Sequence, residues 1–191
     1  MLNDLVVNIH AMHALARDLL SKAETMFGPR DTRFQFLGIL IEDDGPRIRF
    51  NAHGGFGVYI ALKSIASADE HMAIHQLSHE IIHLLAPERN PPAFMIEEGL
   101  AVWFSIHGPD YPNPSYRQKC IEYFKTETEA KNYKDALAIY EKIKEIEPEA
   151  IMKLRSKRAN FFDMDAEFIR QTIPDIDAEL ADRAFERRPM R

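Results

Sequence analysis

The stretch "HQLSHEIIHLL", residues 75–85, sets His75, His79 and His83 four positions apart and places Glu80 directly after the second of them. Residues four apart share one face of an α-helix, so His79 and His83 can direct their imidazole nitrogens at a single ion. Glu80 is rotated by about 100° from His79, which places it to reach a water molecule on the ion rather than the ion itself. The spacing H-E-x-x-H therefore predicts a helix that binds a metal and carries its own general base.

The segment after this helix offers a third metal ligand. "PAFMIEEGLAVWFSIHG" (92–108) predicts a second helix, with Pro92 near its first turn. Either Glu97 or Glu98 can supply the ligand, because the proline-interrupted turn before them can fold the second helix back onto the first.

Strand patterns precede the H-E-x-x-H helix. "FQFLGILI" (34–41) and "RIRF" (47–50) flank the turn residues "EDDGP", which predicts a hairpin between them. "AHGGFG" (52–57) predicts a loop, since it lacks the Lys-Ser/Thr of a phosphate-binding loop, and "VYIAL" (58–62) predicts a third strand.

Helical patterns occupy the rest of the chain. Residues 3–27 predict a helix capped by Asn3, and residues 67–85 predict the H-E-x-x-H helix. After the proline-rich hinge at 108–114 the patterns are all helical, including one amphipathic helix at 133–148. Strands and helices are segregated, so the predicted class is α+β. We assign residues 1–108 to a catalytic core and residues 109–191 to a helical C-terminal subdomain of the same unit.

Composition limits the classes of function. The chain of 191 residues is 46% hydrophobic and 28% charged, as expected of a single globular domain. Its net charge of −6 argues against a nucleic-acid surface. A single cysteine, Cys120, fits a reducing compartment and predicts a buried, inert thiol. The sequence has no pattern of a signal peptide and no span long and apolar enough for a bilayer, so we predict a cytoplasmic protein without membrane contacts.

"HEIIH" (79–83) followed by "EEGLAVWF" (97–104) resembles the gluzincin metallopeptidases, the relatives of thermolysin and aminopeptidase N. In that family the third zinc ligand is a glutamate of the next helix, often in an E-G-x-A setting, and the resemblance thus implies that Glu98 is the ligand and Glu97 its neighbour. Gly99, which has no side chain, would let the two helices approach closely.

The resemblance implies a zincin-like fold, in which a small mixed or antiparallel sheet packs on the active-site helix. It assigns an edge strand, here residues 58–62, to binding an extended peptide by β-addition. The implied cofactor is Zn²⁺, held by His79, His83 and Glu98 with a fourth position open to water. The implied reaction is hydrolysis of a peptide or flexible protein segment, with Glu80 as general base and then acid.

Two departures from the family keep a different function open. Val102 stands where thermolysin-like enzymes place an aspartate that orients a zinc histidine. The oxyanion donor is also unassigned, with four candidates at or after the hinge: His107, Tyr111, Tyr116 and Tyr123. The alternative is a catalytically weak or inactive zincin-like module that docks a partner through its helical half.

Other side chains near the motif receive lesser roles. His71 and His75 extend the histidine stripe, but four histidines at this spacing cannot all face one ion. We place His75 on the wall of the cleft and His71 in solvent, and we assign Trp103 and Phe104 to packing behind the metal helix.

Overall fold

The fold is seen in a computed structural model that describes residues 8–89 and 92–190. Within these residues a three-stranded sheet is followed by a long helical region, and one helix precedes the sheet. The elements are α1 (Ile9–Phe27), β1 (Gln35–Glu42), β2 (Arg47–Phe50), β3 (Gly57–Lys63), α2 (Glu70–Leu84), α3 (Met95–His107), α4 (Ser115–Thr126), α5 (Lys131–Ile146), α6 (Ala150–Lys157), α7 (Ala166–Thr172) and α8 (Ala178–Ala184). The predicted α+β class and the helical C-terminal half are confirmed.

The sheet has the strand order β1-β3-β2. β3 lies in the centre, parallel to β1 and antiparallel to β2. The predicted hairpin between residues 34–41 and 47–50 is therefore wrong, because those two strands are not neighbours. The assignment of residues 58–62 to an edge strand is also wrong, because they form the central strand.

The connection between β1 and β2 explains this order. It passes over the end of β3, and a Cβ atom on Gly45 would lie 3.0 Å from the backbone of Leu62 and of Lys63. Glycine at this position allows the crossing, which puts β3 between the two strands. The hairpin that does form joins β2 to β3, and its loop contains Gly54 and Gly55 with φ values of +83° and +77°.

The helices lie close to their predicted ranges. α2, α3 and α5 correspond to the helices predicted at 67–85, 92–108 and 133–148. α1 begins at Ile9, where the Asn8 side chain accepts hydrogen bonds from the backbone N–H groups of His10 and Ala11. The predicted cap Asn3 lies outside the described residues.

The main hydrophobic core draws side chains from both halves of the chain. Leu19 of α1, Ile60 of β3, Leu77 of α2 and Leu100 of α3 meet Ile139 of α5 in this core, which continues through α6, α7 and α8. A smaller cluster packs α3 against α4. In residues 8–89 and 92–190, no helix has the length and apolar character needed to cross a membrane.

A buried arginine joins three helices below this core. The Arg155 guanidinium, on α6, donates hydrogen bonds to the backbone oxygens of Phe27, Gly28 and Pro29 at 2.8–2.9 Å, and to that of Leu85 at 3.4 Å. These carbonyls lie at or just after the C-terminal ends of α1 and α2. The last carbonyl groups of a helix have no hydrogen-bond donor within the helix, and the helix dipole favours a positive charge beside them. Arg155 therefore fixes the end of the H-E-x-x-H helix relative to α1 and α6.

Candidate metal centre

α2 carries the histidines of the motif into the interior. Its N-terminus is capped by Asp69, whose side chain accepts from the backbone N–H groups of His71 and Met72. Its apolar side, which includes Leu77 and Ile81, is fully buried in the core. This packing fixes the rotation of the helix and turns His79 and His83 toward α3.

The start of α3 brings the two glutamates to the same place. Its first N–H group, at Met95, donates to the backbone oxygen of Glu186 at 3.0 Å, and Phe94 forms an isolated β-bridge with Arg187. Glu97 and Glu98 both lie in the first turn of α3 and are 6% and 8% exposed. The positive end of the helix dipole favours two buried carboxylates at this position.

Three side-chain atoms converge between α2 and α3. The His79 Nε2 atom lies 3.3 Å from His83 Nε2 and 3.4 Å from Glu98 Oε2, and the remaining distance, between His83 Nε2 and Glu98 Oε2, is 3.8 Å. Ligand atoms bonded at roughly 2.0–2.2 Å to one tetrahedral ion lie about 3.3–3.6 Å apart. The His79, His83 and Glu98 side chains are thus spaced to hold one metal ion.

The hydrogen bonding of Glu98 supports the same fit. Its Oε2 atom is buried and has no hydrogen-bond partner in the part of the chain that the structure describes. A buried carboxylate oxygen without a hydrogen bond is costly, and a cation between the two imidazoles would satisfy it. The donor set of two nitrogens and one oxygen suits Zn²⁺ with an open fourth position.

Glu97 has a contact that sequence reasoning did not assign. Its Oε1 atom lies 2.7 Å from His83 Nδ1, so that nitrogen carries the proton and donates it to the carboxylate. Metal-bound histidines commonly donate their second N–H in this way, which fixes the ring and its tautomer. Val102, which stands where thermolysin-like enzymes have an aspartate, is instead buried in the smaller hydrophobic cluster between α3 and α4. The doubled glutamate at 97–98 was the available signal in the sequence.

Charge is concentrated at this centre. Burial lowers the pKa of His83, but the nearby charges of Glu98 and Glu97, together with the Glu97 hydrogen bond, outweigh it and raise that pKa to about 10. Burial raises the pKa of Glu98, but the His83 charge and the His79 ring more than reverse the effect, so the pKa is lowered. In the metal-free centre the protonated His83 imidazole therefore forms an ion pair with the Glu98 carboxylate.

Glu80 is 3% exposed, and its carboxyl faces the same cleft as the three convergent side chains. Burial raises its pKa, and the charges of Glu98 and Glu97 add to that effect while those of His83 and His79 oppose it. A carboxylate with a raised pKa is a better proton acceptor near neutral pH than an exposed one.

The cleft around the centre has a volume of about 840 Å³. One wall is β2, from Arg47 to Phe50, which pairs with β3 on one side only among the described strands. Tyr133 of α5 closes another wall, with its ring 5.8 Å from that of His79 in an edge-on arrangement. Pro189 and Met190 line the cleft as well, so the C-terminal segment runs along its rim.

The candidate oxyanion donors from the hinge do not line this cleft. Tyr116 and Tyr123 line a neighbouring pocket, and Tyr111 is buried. The His107 ring packs at a tilt against that of Trp103, with ring centroids 4.8 Å apart. Tyr133, which sequence reasoning missed, is the tyrosine of the cleft in the described part of the chain. Its place in the amphipathic pattern of α5 gave no sign of that.

The lesser assignments have different outcomes. His75 lines the neighbouring pocket, and its Nδ1 atom lies 3.2 Å from the Tyr111 hydroxyl. His71 is half-buried rather than solvated, since its Nε2 atom accepts from the backbone N–H of Asn113. Phe104 is buried in the core as expected, and Cys120 is buried with a pKa raised by burial to about 11.

Gly99 allows a close approach, but the predicted partner is wrong. A Cβ atom at this position would lie 2.7 Å from the carbonyl carbon of Ala136 and 2.8 Å from Cβ of Tyr140. Both residues belong to α5 and not to α2. Gly99 therefore lets α5 pack directly against the helix that carries Glu98, which brings Tyr133 to the cleft.

The site thus offers two imidazoles and the buried carboxylates of Glu80, Glu97 and Glu98, all within one cleft. Comparison of the chain with protein-family models, with curated proteins and with solved structures found no match. The chemistry of the site itself is therefore the basis on which a function can be assigned.

Proposed function

We propose that this chain is a zinc-dependent peptidase with a zincin-like catalytic core similar to that of the gluzincins. The observation that carries the proposal is the triangle of His79 Nε2, His83 Nε2 and Glu98 Oε2, in which the Glu98 oxygen is buried and has no hydrogen bond among the described residues. His79, His83 and Glu98 would hold the ion. A zinc ion so held would polarise a carbonyl and lower the pKa of water to around 7.

The residues around the ligands have three further roles: proton transfer, orientation of a ligand and stabilisation of negative charge. Glu80 takes the proton of the attacking water and delivers it to the leaving amine. Glu97 holds the His83 ring in place through the Nδ1 hydrogen bond. We assign Tyr133, whose ring lies edge-on 5.8 Å from that of His79, to the oxygen on which negative charge develops. Replacing Tyr133 by Phe is expected to lower turnover without changing the metal content.

β2 is the strand that we assign to substrate binding. It forms a wall of the cleft and is an edge strand of the described sheet. An extended peptide can add to its free edge by backbone hydrogen bonds and so pass over Glu80. The substrate class that follows is an extended peptide or a flexible segment of a protein.

The decisive test compares three proteins: wild type, Glu80→Gln and Glu98→Ala. Zinc content is measured by elemental analysis, and hydrolysis is measured on a peptide library. We expect one zinc per chain in wild type and in Glu80→Gln, with hydrolysis only in wild type, because Glu80 moves the proton and does not bind the ion. Glu98→Ala should lose zinc. Undiminished hydrolysis by Glu80→Gln would overturn the mechanism.

A second candidate function is favoured by the C-terminal segment along the cleft. The Asn132 side-chain amide donates to the backbone oxygen of Pro189 at 2.7 Å, and this bond holds the segment beside the metal centre. A cleft narrowed by its own chain fits a module that captures a peptide without cutting it. Zinc-loaded wild type that binds library peptides and cleaves none of them would support this function over the first.

A further inference from the structure

Residues 187–190, which we call the strap, follow α8 and run along the metal cleft. Two of them, Pro189 and Met190, line the cleft together with Glu80. Met190 also packs against the main hydrophobic core, and it is half-buried there. The strap therefore fills part of the space that a peptide has to enter to reach Glu80.

Backbone atoms fasten the strap at both ends. Just before it, the backbone oxygen of Glu186 accepts from the N–H group of Met95, the first residue of α3, at 3.0 Å. Near its other end, the backbone oxygen of Pro189 accepts from the Asn132 side chain of α5 at 2.7 Å. The strap thus runs between two helices that both contribute side chains to the cleft.

The Arg187 side chain occupies a site made by the connection between α2 and α3. Its guanidinium donates to both carboxylate oxygens of Glu88 at 3.0 Å and to the backbone oxygen of Pro92 at 3.1 Å. Its Cζ atom lies 4.1 Å from the centre of the Phe94 ring. A carboxylate, a carbonyl and an aromatic face are the partners that arginine favours. We call Glu88, Pro92 and Phe94 the arginine site.

The contacts of the strap lie near the surface. The Arg187 and Glu88 side chains are 30% and 21% exposed, and an ion pair that water can reach adds little to stability. The hydrogen bond from Asn132 is exposed as well. Several weak contacts therefore hold the strap, and a segment of another polypeptide with the same chemistry can replace them.

We propose that the strap is a self-inhibitory segment. When docked it keeps peptides out of the metal cleft, and it is released by a partner protein that places an arginine of its own in the arginine site. The chemistry of the partner follows from the three groups that now hold Arg187. That the excluded peptides are substrates rests on the proposed hydrolysis, whereas the docking and release of the strap do not.

The first test follows the Met190 methyl signal in metal-free protein labelled with ¹³C at methionine. In Arg187→Gln we expect this signal to move toward that of a fully solvated methionine, because the strap loses its charged contact. Arg183→Gln is the matched control, since it removes the same charge from α8, outside the strap. It should leave the Met190 signal in place. Unchanged signals of the buried Met12 and Met95 show that each variant is folded. A Met190 signal that stays in place in Arg187→Gln would overturn the proposal.

The second test measures replacement of the strap by a separate peptide. The probe is a fluorescein-labelled peptide with the sequence of residues 186–190, and its control carries glutamine in place of the arginine that corresponds to Arg187. We expect the probe to bind Arg187→Gln at least about tenfold more tightly than wild type, whose own strap fills the arginine site. The control peptide should bind Arg187→Gln about tenfold more weakly than the probe. Adding Glu88→Gln should abolish this difference between the two peptides.

Two results of that titration would contradict the proposal. Equal affinity of the probe for wild type and for Arg187→Gln would show that the strap does not occupy the site. Equal affinity of the two peptides for Arg187→Gln, or binding of neither, would show that the site does not select arginine.

Hydrolysis by the zinc-loaded proteins separates this proposal from the peptidase. If wild type cuts peptides, Arg187→Gln should lower KM at least about threefold with kcat unchanged, because binding and not chemistry is relieved. A released Met190 signal with an unchanged KM would show that the strap does not exclude peptides. If Met190 stays docked in Arg187→Gln while wild type cuts peptides, the strap proposal is wrong and the peptidase stands. If Met190 is released and the probe binds, but no variant cuts any peptide, the exchange of the strap stands and the peptidase is wrong.

Discussion

Glu97 acts on the proposed metal through His83 rather than by touching it. The 2.7 Å hydrogen bond to His83 Nδ1 leaves Nε2 unprotonated once the ion is bound, as a ligand must be. We expect Glu97→Ala to weaken zinc binding by about 10–100-fold, the usual cost of losing such a partner. Competition with a chelator of known affinity measures the change.

Glu88→Gln is the control for that variant. Glu88 lines the same cleft but pairs with Arg187 at 3.0 Å instead of with a histidine. Its loss removes one negative charge from the cleft and leaves the imidazole contacts intact. If Glu88→Gln weakened zinc binding as much as Glu97→Ala, general electrostatics would explain the effect and the hydrogen bond would not.

His75 gives the protein a specific sensitivity to acid. Its folded pKa of about 4 lies below the ordinary value of 6.5, mainly because of burial and then because of His79. Between those pH values the unfolded chain binds a proton that the folded chain excludes, so stability is full above pH 6.5 and falls as pH drops toward 4. The groups packed on His75, which are Tyr111, Tyr116 and Cys120, stay uncharged throughout this range.

The variant His75→Gln removes this titration. Between pH 7 and pH 4 the metal-free variant is expected to lose less free energy of unfolding than wild type does, by at most about 3 kcal/mol. Urea denaturation at pH 7, 5.5 and 4 in the presence of a chelator measures the difference. His53→Gln, which removes an exposed histidine, should follow wild type. A parallel pH dependence in His75→Gln and wild type would refute the assignment.

At the level of elements, the spacing of apolar residues in the sequence predicted the individual helices and strands but not how they pair. The apolar period of α2 and the motif on it are local properties, so the positions of His79 and His83 on one face followed directly from spacing. The order β1-β3-β2 places the connection at Gly45 close to the end of β3, a contact between distant residues that turn signals do not encode. For the same reason the sequence could not show that Tyr133 of α5 would reach the cleft.

The contact between α3 and α5 depends on Gly99. A methyl group there would collide with backbone atoms of Ala136, which cannot move aside as a flexible side chain can. We expect Gly99→Ala to lower the free energy of unfolding by about 1–3 kcal/mol or more, as overpacking does, despite the better helix propensity of alanine. Thermal and urea unfolding of the metal-free protein measure this change.

Ala136→Gly tests the cause of that loss. If the clash is with the backbone of residue 136, adding this second change to Gly99→Ala will not restore stability, since the carbonyl group remains. Recovery of stability in the double variant would mean that side-chain volume, and not the backbone approach of the two helices, limits residue 99.

For the whole molecule, the sequence predicted the α+β class and the three side chains that converge, but not what holds α2 in place. Glu98 was reached through a resemblance, whereas its neighbour Glu97 was left without a role because its partner depends on how α3 sits against α2. The sequence did not indicate the buried position of Arg155, because an arginine in an amphipathic helix is usually exposed. Its role is visible only when the ends of α1, α2 and α6 are seen together.

Arg155 joins the two halves of the chain and is expected to be the most stabilising charged residue outside the candidate metal centre. Its pKa is lowered by burial to about 10, while Glu97 and Glu24 oppose that effect, so it remains charged at neutral pH. Arg155→Met fills similar space but leaves the carbonyls of Phe27, Gly28 and Pro29 without their donor. We expect a loss of about 2–5 kcal/mol in the free energy of unfolding, since each buried unsatisfied group costs about 1–3 kcal/mol.

Lys157→Met is the matched control, because Lys157 is an exposed cation of the same helix whose contact is a 3.3 Å hydrogen bond to Thr172. It should change stability by less than about 0.5 kcal/mol.

Zinc affinity shows whether Arg155 affects only the stability of the fold or also the geometry of the candidate metal centre. Because Arg155 fixes the end of α2, Arg155→Met should weaken zinc binding as well as stability, whereas Lys157→Met should change neither. A destabilised Arg155→Met protein with wild-type zinc affinity would show that the metal centre is positioned by α2 and α3 alone.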